Sequence, residues 1–149
     1  MRKFTIVPIG QVKNHNTVHM SPDEMLSTTS TIVVDKKFED GLMDLDKNDL
    51  ITVLFYFDRA RGYKMHLHPR YDESRPITGV FNTRSQYRPN HIGVTVVKLK
   101  SVEGNTLVVE GLDAADGTPV LDIKPHILTF DEGKKVDDPR KDRTYKAGR

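Results

Sequence analysis

Cysteine and tryptophan are both missing from the 149 residues. Without thiols there is no disulfide framework, no cysteine-ligated zinc site, no catalytic thiolate and no iron–sulfur cluster held by cysteine. No apolar run approaches the length needed to cross a bilayer. The opening stretch Met1-Arg2-Lys3-Phe4-Thr5-Ile6-Val7-Pro8-Ile9 has too short an apolar segment for a secretory leader. The expectation is a cytoplasmic protein with no membrane partner. Neither Gly-x-Gly-x-x-Gly nor a P-loop occurs, so an ordinary Rossmann site and a Walker-type phosphate cradle are not indicated. Internal repeats and low-complexity linkers are absent, and the length suits one domain with one core.

Apolar residues make up 36% and charged residues 30%. That is lean for a single core, and part of the apolar surface is expected to be covered by a second copy, as in a homodimer. The net charge is only +2, but it is unevenly spread. Residues 35–49 hold six acids and three lysines, whereas residues 58–91 hold seven Lys/Arg and three acids, and residues 140–149 hold five Lys/Arg and one acid. Two basic patches on a near-neutral chain suit a phosphate-bearing partner. Ordinary solvated surface is the plainer reading.

Apolar and β-branched runs predict strands at 4–12, 29–34, 51–57, 64–68, 93–102, 106–110 and 120–124. The run 51–57 lacks clean alternation and reads as buried on both faces. Glu103-Gly104-Asn105 marks a hairpin. Helix signals are few. Ser21-Pro22-Asp23-Glu24 looks like an N-cap with proline in the first turn, and 38–45 is a second short candidate. About seven short strands in a small chain predict a mainly β fold, an antiparallel barrel that is closed or nearly so. The barrel is expected over 1–130, followed by a charged, flexible tail over 131–149. Segment 71–93 is long, polar and irregular between two strands, as functional loops often are.

Within that loop runs Gly79-Val80-Phe81-Asn82-Thr83-Arg84-Ser85-Gln86-Tyr87-Arg88-Pro89-Asn90-His91-Ile92-Gly93. Arginine presents a planar fork to carboxylate or phosphate, Tyr87 can stack on a base, and Asn90 can both donate and accept. The competing reading pairs these arginines with the acids of 35–49. A second stretch is Leu112-Asp113-Ala114-Ala115-Asp116-Gly117-Thr118-Pro119-Val120-Leu121-Asp122-Ile123-Lys124-Pro125-His126. Asp116-Gly117 is a turn signal, and Gly117 lets a ligand approach the backbone; a plain β-turn is the alternative. Asp122 and Lys124 alternate with apolar neighbours, so they share a strand face and pair with each other or with an arginine.

These two stretches together resemble the TrmO (TsaA-like, YaeB-like) family, and the resemblance runs from Ile9-Gly10 to about Pro125. It implies a tRNA adenine-N6 methyltransferase that uses S-adenosyl-L-methionine and acts on the threonylcarbamoyl-modified adenosine at position 37 in the anticodon loop. It implies a small antiparallel barrel, a dimer, and cofactor near the interface. Carried over by motif, Arg84, Val94, Ala115, Asp116, Gly117 and Thr118 would line the cofactor. Tyr87, Arg88, Asn90 and Lys124 would meet the RNA. A polar acceptor near the amine would favour charge developing on nitrogen, and Asn90, Asp122 and Asp116 are the candidate catalytic groups.

The sequence departs from the family pattern in places. His91 stands where proline is usual, His126 where tyrosine usually follows Lys-Pro, and Asp58-Arg59 where His-Gln is expected. The early-loop Pro-Arg-Gln is replaced by residues around His19-Met20-Ser21. His66 and His68 fall on one face of a strand and invite a metal reading, but no third ligand is evident and no metal is expected. Two other readings remain open, a non-catalytic RNA-binding barrel and a metal-dependent small-molecule enzyme.

Overall fold

Along the strands, buried and mostly apolar residues alternate with more exposed ones. The computed structural model describes residues 1–146. Six antiparallel strands form a closed barrel in the order β1-β2-β7-β6-β3-β8, and β4 and β5 form a separate two-stranded ribbon. The strands are β1 (Gly10–Lys13), β2 (Thr29–Val34), β3 (Leu50–Tyr56), β4 (His66–Leu67), β5 (Thr78–Gly79), β6 (Ile92–Glu103), β7 (Thr106–Glu110) and β8 (Pro119–Pro125). The barrel expected from the sequence is present, with six strands in its wall rather than about seven. The interior is filled by Val12, Ile32, Val34, Ile51, Val53, Phe55, Val97, Leu99, Leu107, Val109 and Val120, all buried.

Two glycines let the wall close. A Cβ on Gly10 would run into the backbone of Val33 on β2, and one on Gly93 would run into the Phe55 ring. The β6–β7 hairpin turns at Gly104, which sits at φ 58, a left-handed conformation that glycine adopts without strain.

Several expectations are corrected. The first strand begins at Gly10 rather than at residue 4, because Pro8 lacks an amide proton and Phe4, Ile6 and Val7 stand exposed beside no partner strand. Strand β3 is not buried on both faces: Ile51, Val53 and Phe55 are buried, whereas Leu50, Thr52 and Leu54 are half-buried. Segment 38–45 is not an α-helix but 3-10 turns at Lys36–Leu42 and Leu45–Lys47, broken by the left-handed Asp44. Ser21 does cap a helix, the one-turn α1 (Pro22–Met25), accepting from the Glu24 amide at 3.2 Å.

Past β8, α2 (Leu128–Glu132) leads into a segment that returns to the barrel. Tyr145 bridges Asn48, Arg143 bridges Ile127, and the Lys146 amide donates to the Lys47 carbonyl at 2.8 Å. Residues 147–149 of the expected tail lie outside the described residues. No described helix is long and apolar enough to cross a membrane.

Candidate functional site

Strand direction decides which loops meet. Because each wall strand runs antiparallel to its neighbours, the β1–β2, β3–β6 and β7–β8 connections all leave from one rim. Those connections are residues 14–28, 57–91 and 111–118, and they carry both sequence motifs. The acidic segment 35–49 and the returning C-terminal segment lie at the opposite rim. The arginines of the motif loop are therefore not neutralised by those acids.

The 111–118 connection is held by its neighbours. Asn14 donates from Nδ2 to Ser30 Oγ and to the Ala114 carbonyl, both at 2.9 Å. Asn16, buried, donates to Thr28 Oγ1 at 3.1 Å and to the Ala114 carbonyl at 3.2 Å. The Asp116 carboxylate accepts from the Asn14 amide at 3.0 Å through Oδ1. Gly117 sits at φ 83, where a side chain would be strained, and Thr118 is buried with its hydroxyl donating to the Ala115 carbonyl at 2.7 Å.

A backbone inventory shows what this turn can still offer a ligand. The amides of Asp116, Gly117 and Thr118 donate to Asn16, Val12 and Ala115, and the Asp116 carbonyl accepts from Arg59 Nη2 at 2.6 Å. Among the described residues, the Ala115 amide, the Gly117 carbonyl and Asp116 Oδ2 take no partner. One donor and one acceptor two residues apart fit the edge of an adenine, and an exposed carboxylate oxygen fits a hydroxyl or an amine. That donor set suits S-adenosylmethionine.

The 57–91 connection is folded on itself. Arg88 Nη1 donates to the Thr83 carbonyl at 2.9 Å and to the Ser85 carbonyl at 3.3 Å, leaving Nε and Nη2 for a partner. Arg84, exposed, donates to the Val94 carbonyl at 3.2 Å, which places two of the expected cofactor residues together. Tyr87 meets Tyr71 edge to face at 6.2 Å. Asn90 is exposed in a turn closed by the His91 amide on the Arg88 carbonyl at 3.2 Å. His91 stands at φ 51, and its Nε2 donates to the Gly62 carbonyl at 2.7 Å, pinning two parts of the loop.

Asp122 and Lys124 pair with each other at 2.8 Å on the outer face of β8. The hydrogen bond and charge of Asp122 raise the Lys124 ammonium above its ordinary pKa. Asp122 lies opposite Leu54 and Lys124 opposite Thr52 on β3, and Val94 lies opposite Leu54 on its other side. Asp122 and Val94 thus flank one residue across the wall. Among the described residues no cluster of three metal-ligating groups forms, and His66 and His68 gain no third ligand.

Sequence reasoning missed the pinning residues Asn14, Asn16 and Arg59. Asn14 and Asn16 are short polar residues in an early loop and carry no distinctive spacing. Arg59 was visible only as a departure from the family pattern.

Residues 10–132 match the family model described as the tRNA-methyltransferase O N-terminal domain. An Archaeoglobus fulgidus protein named "Probable S-adenosyl-L-methionine-binding protein" is 46% identical over 103 residues, which are 69% of this chain and 28% of that protein. A mouse tRNA (adenine(37)-N6)-methyltransferase is 45% identical over 101 residues, 66% of this chain and 23% of the mouse protein. The chain therefore spans less than a third of either relative. A crystal structure of TrmO from Pseudomonas aeruginosa superposes with a TM-score of 0.69 at 29% identity, over 92% of this chain and 60% of that one.

Proposed function

The chain belongs to the family of the tRNA-methyltransferase O N-terminal domain, and from that premise we propose that it methylates the N6 amine of an adenine in tRNA with S-adenosyl-L-methionine. The substrate we assign is the threonylcarbamoyl-modified adenosine at position 37 of the anticodon loop. The observation that carries this reading is the Arg59 bond to Asp116, which ties the arginine-rich loop to the turn with the free donor, acceptor and carboxylate oxygen.

The sulfonium of the cofactor supplies a methyl group already activated for transfer. The chain's task is to bind, orient and exclude water. Ala115, Asp116 and Gly117 hold the nucleoside part, with Arg84 and Val94 beside it and Thr118 fixing the turn from below. The exocyclic amine of adenine is a weak nucleophile, because its lone pair is delocalised into the ring. An acceptor facing the amine favours positive charge developing on nitrogen. Asn90, exposed and unpartnered among the described residues, fills that role. Asp122 is already charge-compensated by Lys124 and acts as a supporting group. Arg88, through Nε and Nη2, and Lys124 meet anticodon-loop phosphates, and Tyr87 meets a base.

The working form in this proposal is a cytoplasmic homodimer. Ile92, Val94 and Val96 are exposed on the outer face of β6, and Phe4, Ile6 and Val7 are exposed in the N-terminal arm. Apolar surface of this kind is what a second copy covers.

The test is incubation of the purified protein with methyl-labelled S-adenosylmethionine and total tRNA, followed by nucleoside analysis. Label on the N6 of the modified adenosine is the expected result. A second arm uses tRNA lacking threonylcarbamoyl groups and should give no product. Tight RNA binding with no methyl transfer in either arm would move the protein to the non-catalytic reading.

A further inference from the structure

A concavity of about 310 Å³ opens in the β3–β6 connection, lined by Lys64, His66, Leu67, His68, Tyr71, Glu73, Ile77 and Tyr87. None of these residues belongs to the 111–118 turn. Its volume is at the low end of small-ligand sites, which run from about 300 to 1,000 Å³. Four features bear on what it holds.

The two tyrosine rings stand edge to face with an interplanar angle of 73°. Lys64 Nζ lies 5.9 Å from the Tyr87 ring centroid, and neither Lys64 nor Glu73 forms an ion pair with the other or with any other described residue. An unneutralised cation and an unneutralised carboxylate therefore line one small space. His68 donates from Nδ1 to the Arg75 carbonyl at 2.7 Å, so in its neutral form Nε2 is left as an acceptor. The backbone at the edge is strained: Arg70 at φ 55 and Tyr71 at φ 57 are consecutive left-handed residues with side chains. Such conformations persist where the surrounding structure enforces them, and they cluster at ligand sites.

We propose that this concavity seats one unpaired nucleobase of the RNA strand, distinct from the cofactor's adenine. Tyr71 supplies the stacking face, and Tyr87, turned 73° to it, meets the base edge-on. Glu73 and His68 Nε2 accept from the base edge, and Lys64 contacts the adjoining phosphate. The proposal rests on RNA being the substrate, and it adds a second base-holding site to the methylation site.

The experiment uses an anticodon stem-loop RNA with 2-aminopurine placed in turn at each loop position. It is titrated with the full chain under saturating S-adenosylhomocysteine, so that the cofactor turn is filled. Wild type should quench the fluorophore at one position. Tyr71→Ala should abolish that quenching and weaken RNA affinity about tenfold. It should leave the KM for S-adenosylmethionine unchanged. Tyr71→Phe should retain the quenching, although it loses the 3.1 Å hydroxyl contact with Ser85. If Tyr71→Ala does not fold, Tyr71→Leu replaces it, keeping bulk without a stacking face. A folded variant without the ring that quenches and binds like wild type overturns the proposal. So does a Tyr71→Phe protein as impaired as the ringless variant, since the Ser85 contact would then be what matters. Quenching that follows the ring in a protein unable to methylate tRNA would remove the methylation reading and leave the base seat standing.

Discussion

Arg59 and Asp116 are 57 positions apart in sequence and joined at 2.6 Å, guanidinium to backbone carbonyl. The bond spans two of the three connections at the working rim. It replaces with one side chain what a longer loop contact would otherwise do, and it acts on the peptide group beside Gly117.

Arg59→Ala should therefore loosen the 111–118 turn without touching the barrel. We expect cofactor affinity to fall by about 1 kcal/mol, roughly fivefold, as for loss of one hydrogen bond at an exposed site. Thermal stability should stay near wild type. Calorimetry with S-adenosylmethionine reads the first quantity and a melt the second. Wild-type affinity in the variant would show that the bond is incidental.

Asp116 and Arg88 should separate by ligand. Asp116→Ala removes the acceptor for the Asn14 amide and one free carboxylate oxygen. Cofactor affinity should drop by about 1–3 kcal/mol. Asp116→Asn keeps an oxygen for the amide and should recover part of that loss. Arg88→Ala should lower the salt slope of tRNA binding by about one. Its effect on cofactor affinity should be small. Were both substitutions to weaken the same ligand, the division of the rim would be wrong.

His91→Pro restores the family residue and should nevertheless damage this protein. Proline holds φ near −65°, whereas His91 stands at φ 51. The substitution also removes the amide bond to Arg88 and the ring bond to Gly62. A loss of about 3 kcal/mol is expected from the backbone conflict and the missing donors. His91→Asn, which tolerates the left-handed region, should cost far less. Denaturant titration of the two variants decides it; equal stability would mean that the loop rearranges freely.

The barrel was legible because inward positions alternate with outward ones, and 29–34 and 106–110 became strands with the bounds expected. The two motifs were legible because they are long. What escaped was set by contacts distant in sequence. Strand β5 is two residues long and exists only because Thr78 and Gly79 pair with Leu67 and His66. The left-handed Asp44 that breaks 38–45 carries no sequence signal as strong as a glycine. Three departures from the family pattern turned out to be pins, two at the site and one at the opposite rim. Arg59 holds a carbonyl, His91 holds Gly62, and buried His126 reaches Glu132 on α2 at 2.8 Å. A residue's role as a pin depends on where the other loop ends up, which periodicity does not reveal.

The pin at His126 gives a pH prediction. Hydrogen bonds from Lys134 first, and then from His126, hold the Glu132 carboxyl below its ordinary value of 4.5. A carboxyl lowered in the folded state stabilises above its unfolded value, and that contribution is lost as pH falls through the folded value. The melting temperature should therefore decline as pH falls below the ordinary carboxyl value and Glu132 takes up a proton. Glu132→Gln should flatten part of that decline. Superimposable pH profiles for wild type and Glu132→Gln would rule the pin out as a contributor.

The closure of β1 onto β8 has a consequence for assembly. A sheet with open borders can recruit another chain through its own peptide groups, whatever side chains it bears. Here the six strands close on themselves, and unpaired peptide groups are confined to the stretches of β6 and β8 that extend past β7 and β1. In the proposed homodimer, a second copy meeting the paired stretches would find side chains only, so recognition between copies there would be open to change by single substitutions. The paired part of the ladder would be insulated from those changes, since it needs no second copy to complete it.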